Sequence, residues 1–136
     1  MKRLLRPFLL PFIISTSLLA GCKKDSDTMP SLAGTWQLTS RVCYCAPEPL
    51  PKEMVKFTDS SFTFYKDGQP TVYGNYTFTT AKTCGGPDAV PVVRFAYVNA
   101  NSVPQDIKAT LSGNKLVLDY GGGCLPDAPV ATYERL

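Results

Sequence analysis

The feature that most constrains this chain is a period-two alternation of apolar and polar residues, which recurs between turn signals from Thr35 onward. No segment there sustains the roughly 3.6-residue repeat of an amphipathic helix, so the chain is predicted to be all-β. We expect two-residue turns at Asp59–Ser60, Asp67–Gly68 and Gly113–Asn114. The eight predicted strands cover residues 36–44, 55–57, 61–65, 71–79, 92–98, 107–111, 116–120 and 130–136.

Sequential antiparallel strands that each need one covered face can curl into a closed barrel, which leaves no exposed sheet edge. We therefore predict a small eight-stranded antiparallel up-and-down barrel. A two-sheet β-sandwich is the alternative, because it requires the same alternation. On the first strand the predicted outer face carries Gln37, Thr39 and Arg41. The predicted inner face of that strand carries Trp36, Leu38, Val42 and Tyr44.

Charge and composition exclude several function classes. The formal net charge is +3, from 14 Lys and Arg against 11 Asp and Glu, and Lys2, Arg3 and Arg6 supply all of the excess. A balanced remainder without a basic run offers no footprint for a nucleic acid. The chain has no histidine, which removes the usual general base and every Ser–His or Cys–His pair. We therefore expect neither an enzyme nor a nucleic-acid partner.

The amino terminus predicts export and membrane attachment. Residues 1–21 combine a positive start with an interrupted apolar stretch, as in a secretory signal. The segment ends in Leu19, Ala20, Gly21 and Cys22, which resembles the bacterial lipoprotein processing motif. The resemblance implies that the Cys22 thiol is acylated and holds the protein on the membrane. Residues 22–31 then form a flexible tether and residues 32–136 the folded domain, at the bacterial outer membrane on its periplasmic or cell-surface side.

Two short segments carry a second resemblance. Residues 32–36 at the head of the first strand, together with residues 133–136 in the last, resemble the small lipocalin-like lipoproteins of bacteria. In lipocalins a Gly-x-Trp opens the first strand and an arginine near the end of the barrel packs across the indole. The matching residues are Gly34, Trp36 and Arg135. The resemblance implies a lipocalin-like barrel with these residues as its floor, and a small apolar ligand. The second loop motif and the carboxy-terminal helix of larger lipocalins are lacking.

Six aromatic residues on the predicted inner faces are candidates for lining an apolar pocket. They are Phe62, Phe64, Tyr76, Phe78, Phe95 and Tyr97. Core filling is the preferred interpretation of these residues, since side chains alone can fill an eight-stranded barrel. The competing function is an interaction or structural module that contacts a protein partner of the cell envelope. Loops 45–53, 80–91 and 121–129 would form its surface, because their Pro and Gly content gives them a defined shape.

The four remaining cysteines predict two disulfides, because Cys43, Cys45, Cys84 and Cys124 form an even set in an exported chain. A bridge between Cys43 and Cys45 on one strand face would be strained, so each is expected to reach Cys84 or Cys124. The meander places Cys124 at the same rim as the end of the first strand, and Cys84 at the opposite rim. The alternative is a soft-metal or redox site on Cys43 and Cys45. It is disfavoured because no second close pair exists, and no metal or cofactor is predicted.

Overall fold

The computed structural model describes residues 30–82, 86–122, 125 and 127–136. The predicted signal peptide, Cys22, most of the predicted tether, Cys84 and Cys124 lie outside the described residues. The strands are β1 (Gly34–Val42), β2 (Glu53–Phe57), β3 (Ser61–Lys66), β4 (Gln69–Lys82), β5 (Ala89–Tyr97), β6 (Gln105–Ser112), β7 (Lys115–Asp119) and β8 (Val130–Arg135). Each pairs antiparallel with its sequence neighbours, and β8 pairs with β1 to close a barrel. The predicted eight-stranded up-and-down barrel is confirmed, and the sandwich alternative is wrong.

The tight turns follow the predicted chemistry. Asp67 and Gly68 connect β3 to β4 with φ angles of 52° and 79°. Two consecutive left-handed residues are what a two-residue type I′ hairpin requires, and Asp-Gly is among the sequences that adopt it most readily. Gly113, with φ of 58°, opens the corresponding turn between β6 and β7. These turns fix the register of the strands that they join.

The pairing that closes the barrel contains a bulge at Thr39. Leu38 lies opposite Tyr133, whereas Ser40 lies opposite Thr132, so β1 holds one extra residue between these two pairs. Because side chains alternate from face to face along a strand, one extra residue moves every later side chain to the other face. The second half of β1 is therefore inverted relative to the alternation read from the sequence.

The bulge corrects two predictions for the first strand. Arg41, which was expected on the outer face, contacts the side chain of Glu53 on the inner side of the barrel. Val42 was expected inside and is 67% exposed. The strand ends at Val42, so Tyr44 lies beyond it and is 89% exposed.

The hairpin of β4 and β5 is longer than predicted. Residues 80–91 were expected to form a loop, but β4 continues to Lys82 and β5 begins at Ala89 opposite it. Pro91 lies within β5, opposite Thr80. These ends carry several polar and exposed residues, so they have no apolar stripe by which a strand is recognised. Pairing between β4 and β5 keeps these strand ends extended.

Edge-to-face aromatic contacts fill the middle of the barrel. The ring centroids of Phe62 and Phe95 lie 4.6 Å apart, and those of Phe57 and Tyr76 lie 5.3 Å apart, both in T-shaped geometry. Such pairs contribute about 0.5–1.5 kcal/mol each beyond the burial of their area. Phe62 also contacts Tyr97 edge to face. The interior at this level is a packed core.

Trp36 closes one end of the barrel, which we call the Trp36 end. Its indole N–H donates to the carbonyl of Leu32 at 2.9 Å. The guanidinium carbon of Arg135 lies 4.2 Å from the centre of the indole ring, in cation–π geometry, and its Nη1 donates to the carbonyl of Ala33. At Gly34, with φ of +136°, a Cβ atom would lie 2.9 Å from that Nη1. The structure thus brings Gly34, Trp36 and Arg135 together.

Candidate functional site

Four connections meet at the end of the barrel opposite Trp36, which we call the loop rim. In an antiparallel meander alternate connections lie at the same end, so the rim consists of residues 43–52, 67–68, 98–104 and the described part of 120–129. Two of the three predicted interaction loops, 45–53 and 121–129, therefore lie at the rim. The described part of the third, residues 80–82 and 86–91, lies at the Trp36 end, so the three do not form one surface.

A groove of about 880 Å³ lies on the loop rim. We call it the rim groove, and it is lined by residues 41–43, 45–52, Lys66 and Asp67. The long β1–β2 connection forms one wall and the β3–β4 turn forms the other. The backbone N–H of Asp67 donates to the carbonyl of Lys52 at 2.9 Å, which ties the two walls together.

Both apolar and charged groups line the rim groove. Pro47, Pro49, Leu50 and Pro51 supply the apolar part. The three prolines have fixed φ angles, so this part of the connection loses less conformational entropy on ordering than an ordinary loop. Charged residues of both signs also line the groove. The cations are Arg41, Lys52 and Lys66, and the anions are Glu48 and Asp67. The lining therefore suits a ligand with an apolar body and no large net charge.

A network of polar side chains connects the rim groove with the inside of the barrel. Arg41 donates two hydrogen bonds to the carboxylate of Glu53, at 2.8 and 2.9 Å. The hydroxyl of Tyr133 donates to the same carboxylate at 2.6 Å. Among the described residues, no buried side-chain nitrogen or oxygen lacks a hydrogen-bond partner. The network therefore holds Arg41, which lines the groove, in one orientation.

Burial sets the ionisation of the tyrosines in this network. It is the main cause of the raised pKa of Tyr133, and Tyr120 and the negative charge of Glu53 raise it further. Burial also raises the pKa of Tyr120. Both phenols consequently remain protonated well above neutral pH. At Arg41, burial lowers the pKa, but the hydrogen bond and charge of Glu53 outweigh it and leave the pKa above its ordinary value.

Cys43 and Cys45 are in close contact at the rim, with Cα atoms 5.2 Å apart. That each reaches Cys84 or Cys124 stays a prediction, and it rests on both lying on one face of an extended strand. β1 instead ends at Val42, and the chain bends after it, so the two side chains can meet. Cys84 and Cys124 lie outside the described residues.

The structure separates the six candidate pocket residues into two groups. Phe62, Phe64, Tyr76, Phe95 and Tyr97 belong to the packed core or lie against it. Phe78 instead lines an apolar cavity of about 200 Å³ in the barrel wall, together with Pro30, Leu32 and residues 109–111. We call this cavity the wall notch. Of the six, Phe78 therefore borders a cavity, whereas the other five belong to the core or lie against it.

Exposed apolar side chains are concentrated at the loop rim. Those from its connections and strand ends are Val42, Tyr44, Leu50, Val98, Val103 and Leu125. The remaining exposed large apolar residues among those described are Tyr73, Phe78 and Leu136. Clustered exposed apolar residues are typical of surfaces that bind another molecule.

Sequence reasoning missed the Arg41, Glu53 and Tyr133 network. A signal existed for Glu53, because it lies two and four residues before Val55 and Phe57 and so shares their face by period-two alternation. Extending the second predicted strand backwards would have placed Glu53 inside. Arg41 had no such signal, since the bulge that turns it inward leaves no mark in the alternation.

The architecture defines the class as small, closed, up-and-down antiparallel β-barrels. No protein-family model, curated protein or solved structure matches the chain. Within the described ranges, no group of three or more His, Cys, Asp or Glu side chains is arranged to hold a metal ion. The same ranges contain no helix with the length and hydropathy needed to cross a bilayer.

Proposed function

We propose that this chain is an exported lipoprotein, anchored through Cys22 at the outer membrane, whose barrel binds a small, largely apolar ligand in the rim groove without catalysing a reaction. The contacts among Gly34, Trp36 and Arg135 support the lipocalin-like resemblance on which ligand binding was first inferred. The observation that most directly supports ligand binding is the rim groove itself. Its volume of about 880 Å³ falls within the range of roughly 300–1,000 Å³ that is typical of small-molecule sites.

The packing of the barrel favours the groove over the interior as the binding site. A ligand in the interior would have to displace rings that contact one another, such as Phe62 and Phe95. The groove requires no such displacement, and its proline-rich wall is stiff before the ligand arrives. Preorganisation of this kind reduces the entropic cost of binding.

Ligand binding is tested by native mass spectrometry of the mature chain carrying Cys22→Ser and secreted into an oxidising periplasm. We expect a discrete noncovalent adduct that denaturation removes. Leu50→Asp should lose the adduct, because it places a charge in the apolar wall. Leu125→Asp is the matched control, since Leu125 is exposed at the rim but does not line the groove. An adduct that survives Leu50→Asp undiminished would contradict the rim groove as its site.

The lipid anchor is tested separately, by metabolic labelling of the full chain with a tagged palmitate. The wild-type chain should incorporate the label, and Cys22→Ser should not. Protease treatment of intact cells then distinguishes the cell-surface side from the periplasmic side. Label retained in Cys22→Ser would refute the assignment of the anchor.

A second candidate function is an interaction or structural module of the cell envelope that binds a protein partner with its loop rim. The exposed apolar side chains on its connections favour it, and Tyr44 is the most exposed of them. A photocrosslinking amino acid at position 44 should capture one discrete partner in intact cells. The same amino acid at Lys56, which is exposed on the barrel wall, should capture none. Equal capture at both positions would refute this candidate.

A further inference from the structure

Arg41 lines the rim groove, whereas the carboxylate that compensates its charge does not. Arg41 is one of the lining residues, and Glu53 lies behind it and is not one of them. The side chain of Arg41 is 31% exposed, and that of Glu53 is 16% exposed. The ion pair is neutral as a whole, but it therefore presents its positive end to the groove.

The ion pair leaves part of the hydrogen-bonding capacity of Arg41 unused. Both of its hydrogen bonds to Glu53 come from Nη2, at 2.8 and 2.9 Å. Within the described part of the chain, no hydrogen bond engages Nε or Nη1 of this residue. Arginine carries N–H donors on all three guanidinium nitrogens. The groups on Nε and Nη1 therefore remain available to an acceptor in the groove.

Arg41 is held in place before any ligand arrives. The carboxylate of Glu53 that orients it also accepts from the hydroxyl of Tyr133 at 2.6 Å. The backbone of Glu53 is fixed in turn, since its carbonyl accepts from Nε2 of Gln37 at 2.8 Å. A planar guanidinium held in this way matches the geometry of a carboxylate, and its orientation requires no further ordering when an anion binds.

The other charged residues of the groove limit the charge of the ligand. Lys52, Lys66, Glu48 and Asp67 line the groove, and all four are exposed. Among the described residues, none of them belongs to an ion pair. The two lysines and the two acids balance each other, so the positive end of the Arg41 pair is the uncompensated charge of the lining. It suits one negative charge and not several.

We infer that the ligand of the rim groove is an amphiphile with a single carboxylate, and that Arg41 selects it through the N–H groups that Glu53 leaves free. The apolar body of the ligand would lie against Leu50 and the proline-rich wall. This inference rests on the proposed function and names the chemical class of its ligand.

A carboxylate fits these groups better than an alcohol or a phosphate ester. Hydrogen bonds between a guanidinium and a carboxylate are charge-assisted and are roughly twice as strong as those between neutral groups. An alcohol would forgo this contribution. A phosphate monoester carries roughly −1.5 to −2 charges at pH 7, which exceeds what the lining compensates.

The test uses the mature chain with Cys22→Ser and two probes of equal chain length, decanoate and 1-decanol, in titration calorimetry at pH 7. Decanoate should bind saturably and at least about tenfold more tightly than 1-decanol, because it gains charge-assisted hydrogen bonds. This comparison leaves the protein unchanged and so separates binding from folding. Leu50→Asp should weaken the binding of both probes, which locates them in the groove, and Leu125→Asp should not.

Two double variants test the role of Arg41. Arg41→Gln combined with Glu53→Gln removes both charges, so no unpaired charge remains, and it should reduce the affinity for decanoate to that for 1-decanol. Arg94→Gln combined with Asp106→Asn is the matched control. It removes an exposed ion pair of the barrel wall that does not line the groove, and the preference for decanoate should persist. Persistence of the preference in the first double variant would overturn the role of Arg41.

Three further outcomes would overturn the carboxylate class and leave the apolar site standing. The first is equal affinity of the wild type for decanoate and 1-decanol. The second is tighter binding of decylammonium, which assigns selection to Glu48 and Asp67. The third is tighter binding of decyl phosphate, which identifies a phosphate headgroup. Saturable binding of neither decanoate nor 1-decanol would instead overturn the proposed function, and this inference with it.

Discussion

Glu53 is the residue on which the inner charge balance of the barrel depends. Its carboxylate accepts hydrogen bonds from Arg41 and from Tyr133, and its side chain is 16% exposed. One acidic group therefore compensates a cation and orients a phenol at the base of the rim groove. Charge-assisted hydrogen bonds of this kind are stronger than those between neutral groups.

Glu53→Gln should destabilise the protein by about 1–3 kcal/mol, because it removes the counter-charge of Arg41 and weakens its hydrogen bonds. Urea unfolding followed by circular dichroism measures the change in the free energy of unfolding. Glu134→Gln serves as the control, since Glu134 is exposed on β8 and its replacement should have little effect. Equal losses in the two variants would show that the network contributes nothing specific.

Stability should also fall in alkali. The pKa of Tyr133 is raised in the folded protein above its ordinary value of 10.0, so the folded state retains a proton that the unfolded state releases. The stabilisation from this group is complete below about pH 10 and is lost as the pH rises above it. Tyr133→Phe should reduce the alkaline slope of the unfolding free energy. An unchanged slope in Tyr133→Phe would disprove this role.

Among individual residues, those that share a short motif could be predicted from the sequence. A residue whose orientation is set by an irregularity in strand pairing could not. Gly34, Trp36 and Arg135 were selected together from two short segments, and they lie together in the structure. Arg41 was placed on the wrong face because the bulge at Thr39 depends on how β1 meets β8. A single strand's alternation contains no information about its partner's register.

Among the elements, β4 and β5 are in close backbone contact at Gly74. A Cβ atom at this position would collide with the carbonyl oxygen of Ala96 and lie 3.0 Å from the Cα of Tyr97. These are backbone atoms of the facing strand, which cannot move aside as the end of a flexible side chain could. Gly74 thus permits the two strands to pair at this point.

Gly74→Ala should destabilise the barrel by about 1–3 kcal/mol, as overpacking against a fixed neighbour does. Asn75→Ala, at the next and exposed position of the same strand, should remain within about 0.5 kcal/mol of the wild type. Thermal unfolding of the two variants provides the comparison. A Gly74→Ala variant as stable as Asn75→Ala would mean that the strands can separate here without cost.

Strand segments with one buried face could be predicted from the sequence. Segments with neither face buried could not, because their residues do not alternate between apolar and polar. Val72 to Phe78 alternates clearly and was recognised, whereas the ends of β4 and β5 near Lys82 and Ala89 were taken for loop. Their strand form comes from pairing with each other. Pro91 added to the error, because proline within a run is normally a signal against a strand.

In the whole molecule, different parts of the chain form the closed barrel and the rim groove. The barrel is held by its eight ladders and its aromatic core, while the rim groove is formed largely by one connection, residues 43–52. Changing the length of a surface connection has a small entropic effect on stability. The connection can therefore be altered without loss of the barrel.

Replacing residues 43–52 by Gly-Asn-Gly-Ser should leave the far-ultraviolet circular dichroism of the barrel unchanged and abolish the noncovalent adduct. Residues 100–103 connect β5 to β6 without lining the groove, so shortening them should leave the adduct in place. Loss of the β signal in the first variant would contradict the independence of the scaffold. Loss of the adduct in both would place the ligand elsewhere on the rim.

The hydrogen bond from the backbone N–H of Leu136 to the carbonyl of Thr35, at 3.0 Å, brings the two ends of the barrel sequence together beside Trp36. The described chain therefore begins, at Pro30, and ends at the same end of the barrel, opposite the loop rim. If Cys22 carries a lipid, as we propose, the attachment would reach the barrel at its Trp36 end, and the rim groove would lie at the end farther from it.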